Sequence, residues 1–295
     1  MVQTRAVAAR LAERGIVTTI LPITTVGDRE RDRAIDRIGS VNVFVGELES
    51  ALRDGRADYA VHSCKDLPSM LSGDMRLAAI SKREDPRDAY CSQRYPSLEA
   101  LPPGAVVGTS SPRRTFQLRA IRPDLEFQTI RGNVDTRLRK LADGGFDAIV
   151  LAMAGMGRLR ATAPYVVPLD IDLCVPAVGQ GALAVETRAG EDWVAARIRD
   201  AVNDLQSELC VLAERAALRA MQAGCSAPIG IYAERANDGC AIRGIVDGDP
   251  PVSARRRAGV ADAADAELLG IALASDLRPA ERRDESARAE GLANP

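Results

Sequence analysis

Residues 109–114, Thr-Ser-Ser-Pro-Arg-Arg, place two guanidinium groups at the point where a short apolar run turns into helical spacing. A serine at that point can cap the helix, and a proline in the first turn loses nothing by lacking an N–H. A helix N-terminus gathers unpaired N–H donors and partial positive charge, so Arg113 and Arg114 beside Ser111 read as an anion site. The pattern recurs. Arg131-Gly132-Asn133, with Arg137 a little further on, follows a second apolar run, and Met153 to Arg158 follows a third. Guanidinium forks match carboxylates in geometry and charge. A ligand met by so many of them carries several negative charges.

Other residues could do chemistry. Asp66 follows Lys65 in the loop after an apolar strand. A carboxylate there can exchange protons with an amine or stabilise a cation formed during a reaction; it can equally be one half of a loop salt bridge. Cys225, in Gly224-Cys225-Ser226-Ala227-Pro228, has small neighbours that leave its sulfur accessible. It reads either as a reactive thiol or as a small buried hydrophobe. His62, the one histidine, sits at a strand end and reads as a structural hydrogen-bonding group.

The elements that must position these groups follow from periodicity. Ala105–Ala152 alternates strand, helix, strand, helix, strand, with helices at Pro112–Ile121 and Val134–Ala142 and strands at Leu125–Ile130 and Phe146–Ala152. This predicts a parallel sheet with right-handed crossovers, whose ligands bind beyond the carboxyl ends of the strands. Upstream, Val2–Arg14 and Gly46–Asp54 read as helices, and Ile16–Ile23 and Ala57–Ser63 as strands. Lys82–Pro103 reads as a connector rich in charge and proline, and Cys174–Ala182 as a return crossing or hinge. Downstream come a long helix over Ser207–Met221, three antiparallel strands at 229–233, 240–246 and 253–259, and a last helix at Ala264–Leu277. Pro279–Pro295 has the composition of a disordered tail.

The bulk properties narrow the partners. The 295 residues suffice for two or three domains, and 46% hydrophobic with 27% charged residues is ordinary for a soluble protein. A net charge of −2 argues against nucleic acid. No apolar run is long enough to span a membrane. The six cysteines include no Cys-x-x-Cys pair, and one histidine cannot build a histidine-rich metal site. Sparse cysteine without a signal peptide points to the cytoplasm.

Several motifs, in order, resemble the porphobilinogen deaminase (hydroxymethylbilane synthase) family. They are residues 57–68, ADYAVHSCKDLP; 83–89, REDPRDA; 107–114, VGTSSPRR; 130–137, IRGNVDTR; 151–155, LAMAG; 176–182, PAVGQGA; and 224–230, GCSAPIG. The resemblance spans about residues 2–277. It implies an α/β fold of two lobes like those of type II periplasmic binding proteins plus a small α/β C-terminal domain. The lobes would be residues 1–82 with 182–200, and 87–176; residues 205–277 would carry the cofactor, and 278–295 would be a tail.

The activity so implied is the head-to-tail condensation of four porphobilinogen molecules to hydroxymethylbilane, with loss of ammonia at each step. It would be primed by a dipyrromethane cofactor joined through a thioether to Cys225. Asp66 matches the catalytic aspartate, which would stabilise the cationic pyrrole and shuttle its proton. Lys65, Ser111, Arg113, Arg114, Arg131 and Arg137 match cofactor-binding positions, and Arg137 and Arg158 substrate-binding ones. The enzyme would be a cytoplasmic monomer that uses neither metal, nucleic acid nor membrane. A pyrrole chain bearing an acetate and a propionate per ring is the polyanion the arginines call for.

Three features depart from the family pattern. Gln3 falls near the start of the family's first helix, so the preceding strand with its Arg-x-Ser motif is not in the sequence; this reads as a truncated or misassigned start, expected to lower activity and stability. The family's Gly-Lys-Gly-Leu-Phe loop reads Ser40-Val41-Asn42-Val43-Phe44, with Val41 in place of its lysine. The tail after Leu277 does not continue a recognisable helix. Two further readings stay open on sequence alone: a non-catalytic two-lobed trap for a small polyanion, and a degenerate paralogue that binds pyrroles without turnover.

Overall fold

The computed structural model describes residues 1–23, 42–224, 227–236 and 239–278. Cys225, Ser226, Val41 and the tail from Pro279 lie outside the described residues.

The second lobe is built as its periodicity predicts, with additions. Strands β4 (Val106–Gly108), β5 (Glu126–Gln128) and β6 (Ala148–Ala152) are parallel, and helices α3 (Pro112–Ile121) and α4 (Val134–Ala142) link them. Ser111 caps α3 and its side chain accepts from the Arg114 N–H, with Pro112 in the first turn. Asn133 caps α4, its side chain accepting from the Thr136 N–H. Each cap satisfies a donor that the helix leaves unpaired.

The stretch Lys82–Pro103 is not only a connector. It contains β3 (Asp88–Ser92), buried along its whole length and antiparallel to both β6 and β7 (Tyr165–Pro168). The sheet order is β5-β4-β6-β3-β7, so the expected parallel sheet is mixed. Charged residues on either side hide β3 from a composition reading; its burial on both faces comes from the helices around it. A short helix, α5 (Met153–Leu159), follows β6 directly.

The first lobe has a three-stranded sheet in the order β1 (Ala60–Ser63), β8 (Leu183–Arg188), β2 (Met75–Ile80), antiparallel throughout. Helices α1 (Val2–Glu13) and α6 (Asp192–Val202) bury Val7, Leu11, Val194 and Ile198 on one face with Val185. Helix α2 (Asn42–Arg53) packs over β1. The expected strand at Ile16–Ile23 does not form, and Val17 is 94% exposed. Its β-branched residues supply propensity, but a strand exists only when paired, and this segment pairs with none among the described residues.

The chain passes between the lobes twice, at residues 81–87 and 175–182. The second crossing runs so close to its neighbours that a Cβ at Gly179 would lie 2.5 Å from Cys64 Sγ, and one at Gly181 2.5 Å from Glu84 O. Both glycines also have positive φ, 70° and 94°. A third unit follows: α7 (Leu205–Ala220) and α8 (Ala263–Leu277) against an antiparallel sheet β9 (Ile229–Ala236), β10 (Gly239–Val246), β11 (Val252–Ala258). Its core joins Leu209, Ala213, Ile231, Ile242 and Leu273.

Candidate active site: a cationic cavity between the lobes

The loop after β1 forms a single 3-10 turn, Cys64–Asp66, at the carboxyl end of the strand. It delivers Lys65 to a cavity of about 570 Å³ walled by both lobes and the second crossing. Gln3 and Ser63 enter from the first lobe; Arg114, Asn133, Arg137 and Arg158 enter from the second, each near a helix N-terminus or within a helix that follows a strand. Gln3 Nε2 donates to Ser63 Oγ at 2.7 Å. Among the described residues no group of acidic, histidine or cysteine side chains could hold a metal.

The arginines are not equivalent. Arg113 is 4% exposed and does not wall the cavity; its Nη1 donates to Asp88 Oδ2 at 2.7 Å and to Val175 O at 2.7 Å. Arg114 shares Asp88 through Nε and Nη2, at 3.0 and 2.8 Å, and also reaches the cavity. Burial pushes the Asp88 carboxyl up, but Arg113 and Arg114 outweigh it and hold its pKa well below the usual carboxylate range. Arg158 is paired with Glu84 at 3.0 Å. Arg137 differs from all three. Its Nε donates to Gly132 O at 2.8 Å, and no described carboxylate lies within ion-pair distance. Burial, and then the nearby charge of Arg114, lower its pKa. Among the described residues it is an uncompensated cation facing the cavity.

Lys65 likewise makes no ion pair among the described residues, although the Asp66 and Asp88 carboxylates are near enough to favour its charged form. Its Nζ donates to Gln180 Oε1 at 3.3 Å, and burial together with the Arg114 charge brings its pKa down from 10.5 to about 8. Gln180, 1% exposed, ties it onward: its Nε2 donates to Asp88 Oδ1 at 2.9 Å and to Pro86 O at 2.7 Å. Sequence reasoning passed over both Gln180 and Asp88. The signal for Gln180 was its place between Gly179 and Gly181 in the return crossing.

The remaining sequence candidates sit elsewhere. Asp66 is exposed beside Lys65, does not wall the cavity, and makes no ion pair among the described residues. Ser111 works as the cap of α3. Arg131 is exposed and off the cavity wall. His62 is buried, its Nε2 2.9 Å from Glu186 Oε2, in keeping with a structural role.

A family model described as porphobilinogen deaminase, dipyromethane cofactor binding domain, matches residues 1–196, and one described as porphobilinogen deaminase, C-terminal domain, matches 208–279. The chain belongs to the porphobilinogen deaminase family. A porphobilinogen deaminase of Albidiferax ferrireducens is 47% identical over 278 residues, covering 92% of this chain and 87% of the relative. One of Burkholderia thailandensis is 48% identical over 261 residues, covering 88% and 79%. Among solved structures, the periplasmic VFT2 domain of Bordetella pertussis BvgS is 21% identical at a TM-score of 0.39, over 67% of this chain and 75% of that one. An amino acid ABC transporter substrate-binding protein from Streptococcus pneumoniae is 14% identical at a TM-score of 0.40, over 72% and 80%.

The porphobilinogen deaminase activity is that of a transferase, condensing four porphobilinogen molecules head to tail to hydroxymethylbilane with release of ammonia, on a covalent dipyrromethane. The donor set fits that group. A dipyrromethane carries two acetates and two propionates, and the cavity offers Arg137 and Lys65, neither in an ion pair among the described residues, beside Arg114.

Proposed function

We propose that the cavity between the lobes is where this chain holds its dipyrromethane and meets its substrate, and that Cys225 is the thioether attachment point. The observation that carries the reading is Arg137: a partly buried guanidinium facing the cavity with no described counter-ion, next to Arg114 and Lys65. When bound, the dipyrromethane supplies the pyrrole carbon to which the first substrate is joined. Lys65, Arg114 and Arg137 hold carboxylates, Ser111 fixes the start of the helix that bears Arg114, and Arg131 meets carboxylates outside the cavity wall. Arg113 supports Arg114 through their shared Asp88. Arg137 and Arg158 receive the substrate.

Asp66, next to the cavity-lining Lys65 in the same 3-10 turn, is the catalytic group. Its exposed carboxylate, in no ion pair among the described residues, can offset the positive charge that develops on the substrate pyrrole as ammonia leaves, and take the proton that the pyrrole carbon gives up. We further propose the domain division 1–82 with 182–200, 87–176 and 205–277, supported by the separate sheets of the three units. We propose a monomer in the cytoplasm without nucleic acid or membrane; the net charge of −2 supports the lack of nucleic acid, and five free buried cysteines among the described residues support the reducing compartment. No helix among the described residues is long and apolar enough to cross a membrane.

Intact mass of the purified protein tests the attachment. The expected result is a mass increment of two pyrrole units that colours with acidic aldehyde reagent, lost in Cys225→Ser and kept in Cys64→Ser and Cys91→Ser. An adduct mapped to another cysteine, or none at all, overturns the assignment.

A further inference from the structure

The segment Arg83–Asp88 sends its charged side chains to different parts of the molecule. Arg83 Nη2 lies 2.8 Å from Glu214 Oε1 on α7, Asp85 pairs with Arg87, and Asp88 holds Arg113 and Arg114. Glu84 turns to α5. Arg158 Nε lies 3.1 Å from Glu84 Oε1 and 3.0 Å from Oε2, and Arg158 Nη2 donates to Gly181 O at 2.8 Å. The Glu84 N–H donates to the same Gly181 carbonyl at 3.1 Å. Arg158 is thus fastened to both crossings between the lobes.

The pair is asymmetric. The Arg158 side chain is 12% exposed and walls the cavity; that of Glu84 is 47% exposed and does not. The cation is built in, whereas the carboxylate is half in water. A carboxylate so placed gains little from the pair and loses little on leaving it. A ligand carboxylate entering the cavity would offer the same guanidinium the same planar complement.

We propose that Glu84 is a resident competitor for Arg158: a carboxylate that occupies the guanidinium until a carboxylate of porphobilinogen displaces it. This rests on the reading of Arg158 as a substrate-binding residue. The step is an exchange of ion-pair partners. No covalent bond changes, Glu84 stays ionised and becomes hydrated, and Arg158 keeps its contact with Gly181 O. Because the pair ties α5 to the first crossing, filling the cavity also releases a contact between the second lobe and the hinge.

The test compares the holoenzyme with Glu84→Gln, Glu84→Ala, Glu84→Asp, Arg158→Gln and the double variant Glu84→Gln/Arg158→Gln. Removing the competing charge in Glu84→Gln and Glu84→Ala is expected to lower KM for porphobilinogen by about two- to fivefold, the range of an exposed pair, with the change carried by KM rather than kcat. Glu84→Asp, which restores the charge, should restore KM. In the double variant KM should equal that of Arg158→Gln alone, since the two act through one contact. Intact mass after rapid quenching at substrate below KM gives a second readout, with more of the enzyme carrying added rings in Glu84→Gln. An unchanged or raised KM in both Glu84→Gln and Glu84→Ala, with Arg158→Gln raising KM, overturns the inference alone. An unchanged KM and ring distribution in Arg158→Gln overturns the reading of Arg158, and the inference with it.

Discussion

Asp88 holds both Arg113 and Arg114: its Oδ2 accepts from Arg113 Nη1 at 2.7 Å, and its Oδ1 from Arg114 Nη2 at 2.8 Å. One fully buried carboxylate thus serves two adjacent guanidiniums and fixes β3 to the start of α3. Asp88→Asn would leave two buried cations without a counter-ion. Loss of one partner of a buried pair costs about 3–5 kcal/mol, so urea unfolding should show a loss of that order at neutral pH. Asp88 is held below its unfolded pKa, so its contribution is present above the ordinary carboxylate value and is lost as pH falls through the folded one. The gap between wild type and variant should therefore narrow below about pH 4. A gap under about 1 kcal/mol at neutral pH would show that the arginines have other means of compensation.

Arg137 predicts the opposite sign for stability. Arg137→Gln leaves no carboxylate stranded, so the thermal midpoint should hold or rise. Its loss should cost about 1.5–3 kcal/mol in kcat/KM, the worth of a charge-assisted fork. Quenched samples should show enzyme stalled with fewer than four added rings. Wild-type kcat/KM and a normal ring distribution would remove Arg137 from the binding site.

Lys65 has a pKa lowered to about 8 by burial and by Arg114. The unfolded chain therefore binds more protons between about 8 and 10.5, and this residue adds stability as pH rises through that window. Binding runs the other way, because a neutral amine loses its attraction for carboxylates. KM for porphobilinogen should rise with a midpoint at or above about 8, since a bound carboxylate raises the value. Lys65→Arg should flatten that limb. An identical pH profile in wild type and Lys65→Arg would mean that another group titrates.

Asp66→Asn keeps size and removes charge. Turnover should fall by at least about a hundredfold. Because Asp66 is exposed and makes no ion pair among the described residues, the thermal midpoint and the covalent cofactor should survive. Turnover near the wild-type rate would leave Asp66 without a catalytic role.

The alternation of strands and capped helices from Ala105 to Ala152 was legible in the sequence because it is local: Ser111 and Asn133 cap helices three residues or fewer ahead of the donors they satisfy. Arginines after successive strands fixed the ligand as a polyanion for the same reason, since a strand end and its following helix place them together. Tertiary structure decided which of those arginines face the ligand. Arg113 and Arg137 look alike in sequence, yet the partner that turns Arg113 inward is Asp88 on an antiparallel strand hidden in a charged connector. Long-range pairing also decided that Ile16–Ile23, rich in strand formers, forms no strand, whereas Asp88–Ser92 does. Strand propensity and guanidinium charge belong to single residues; a sheet partner and a counter-ion are supplied only by the fold.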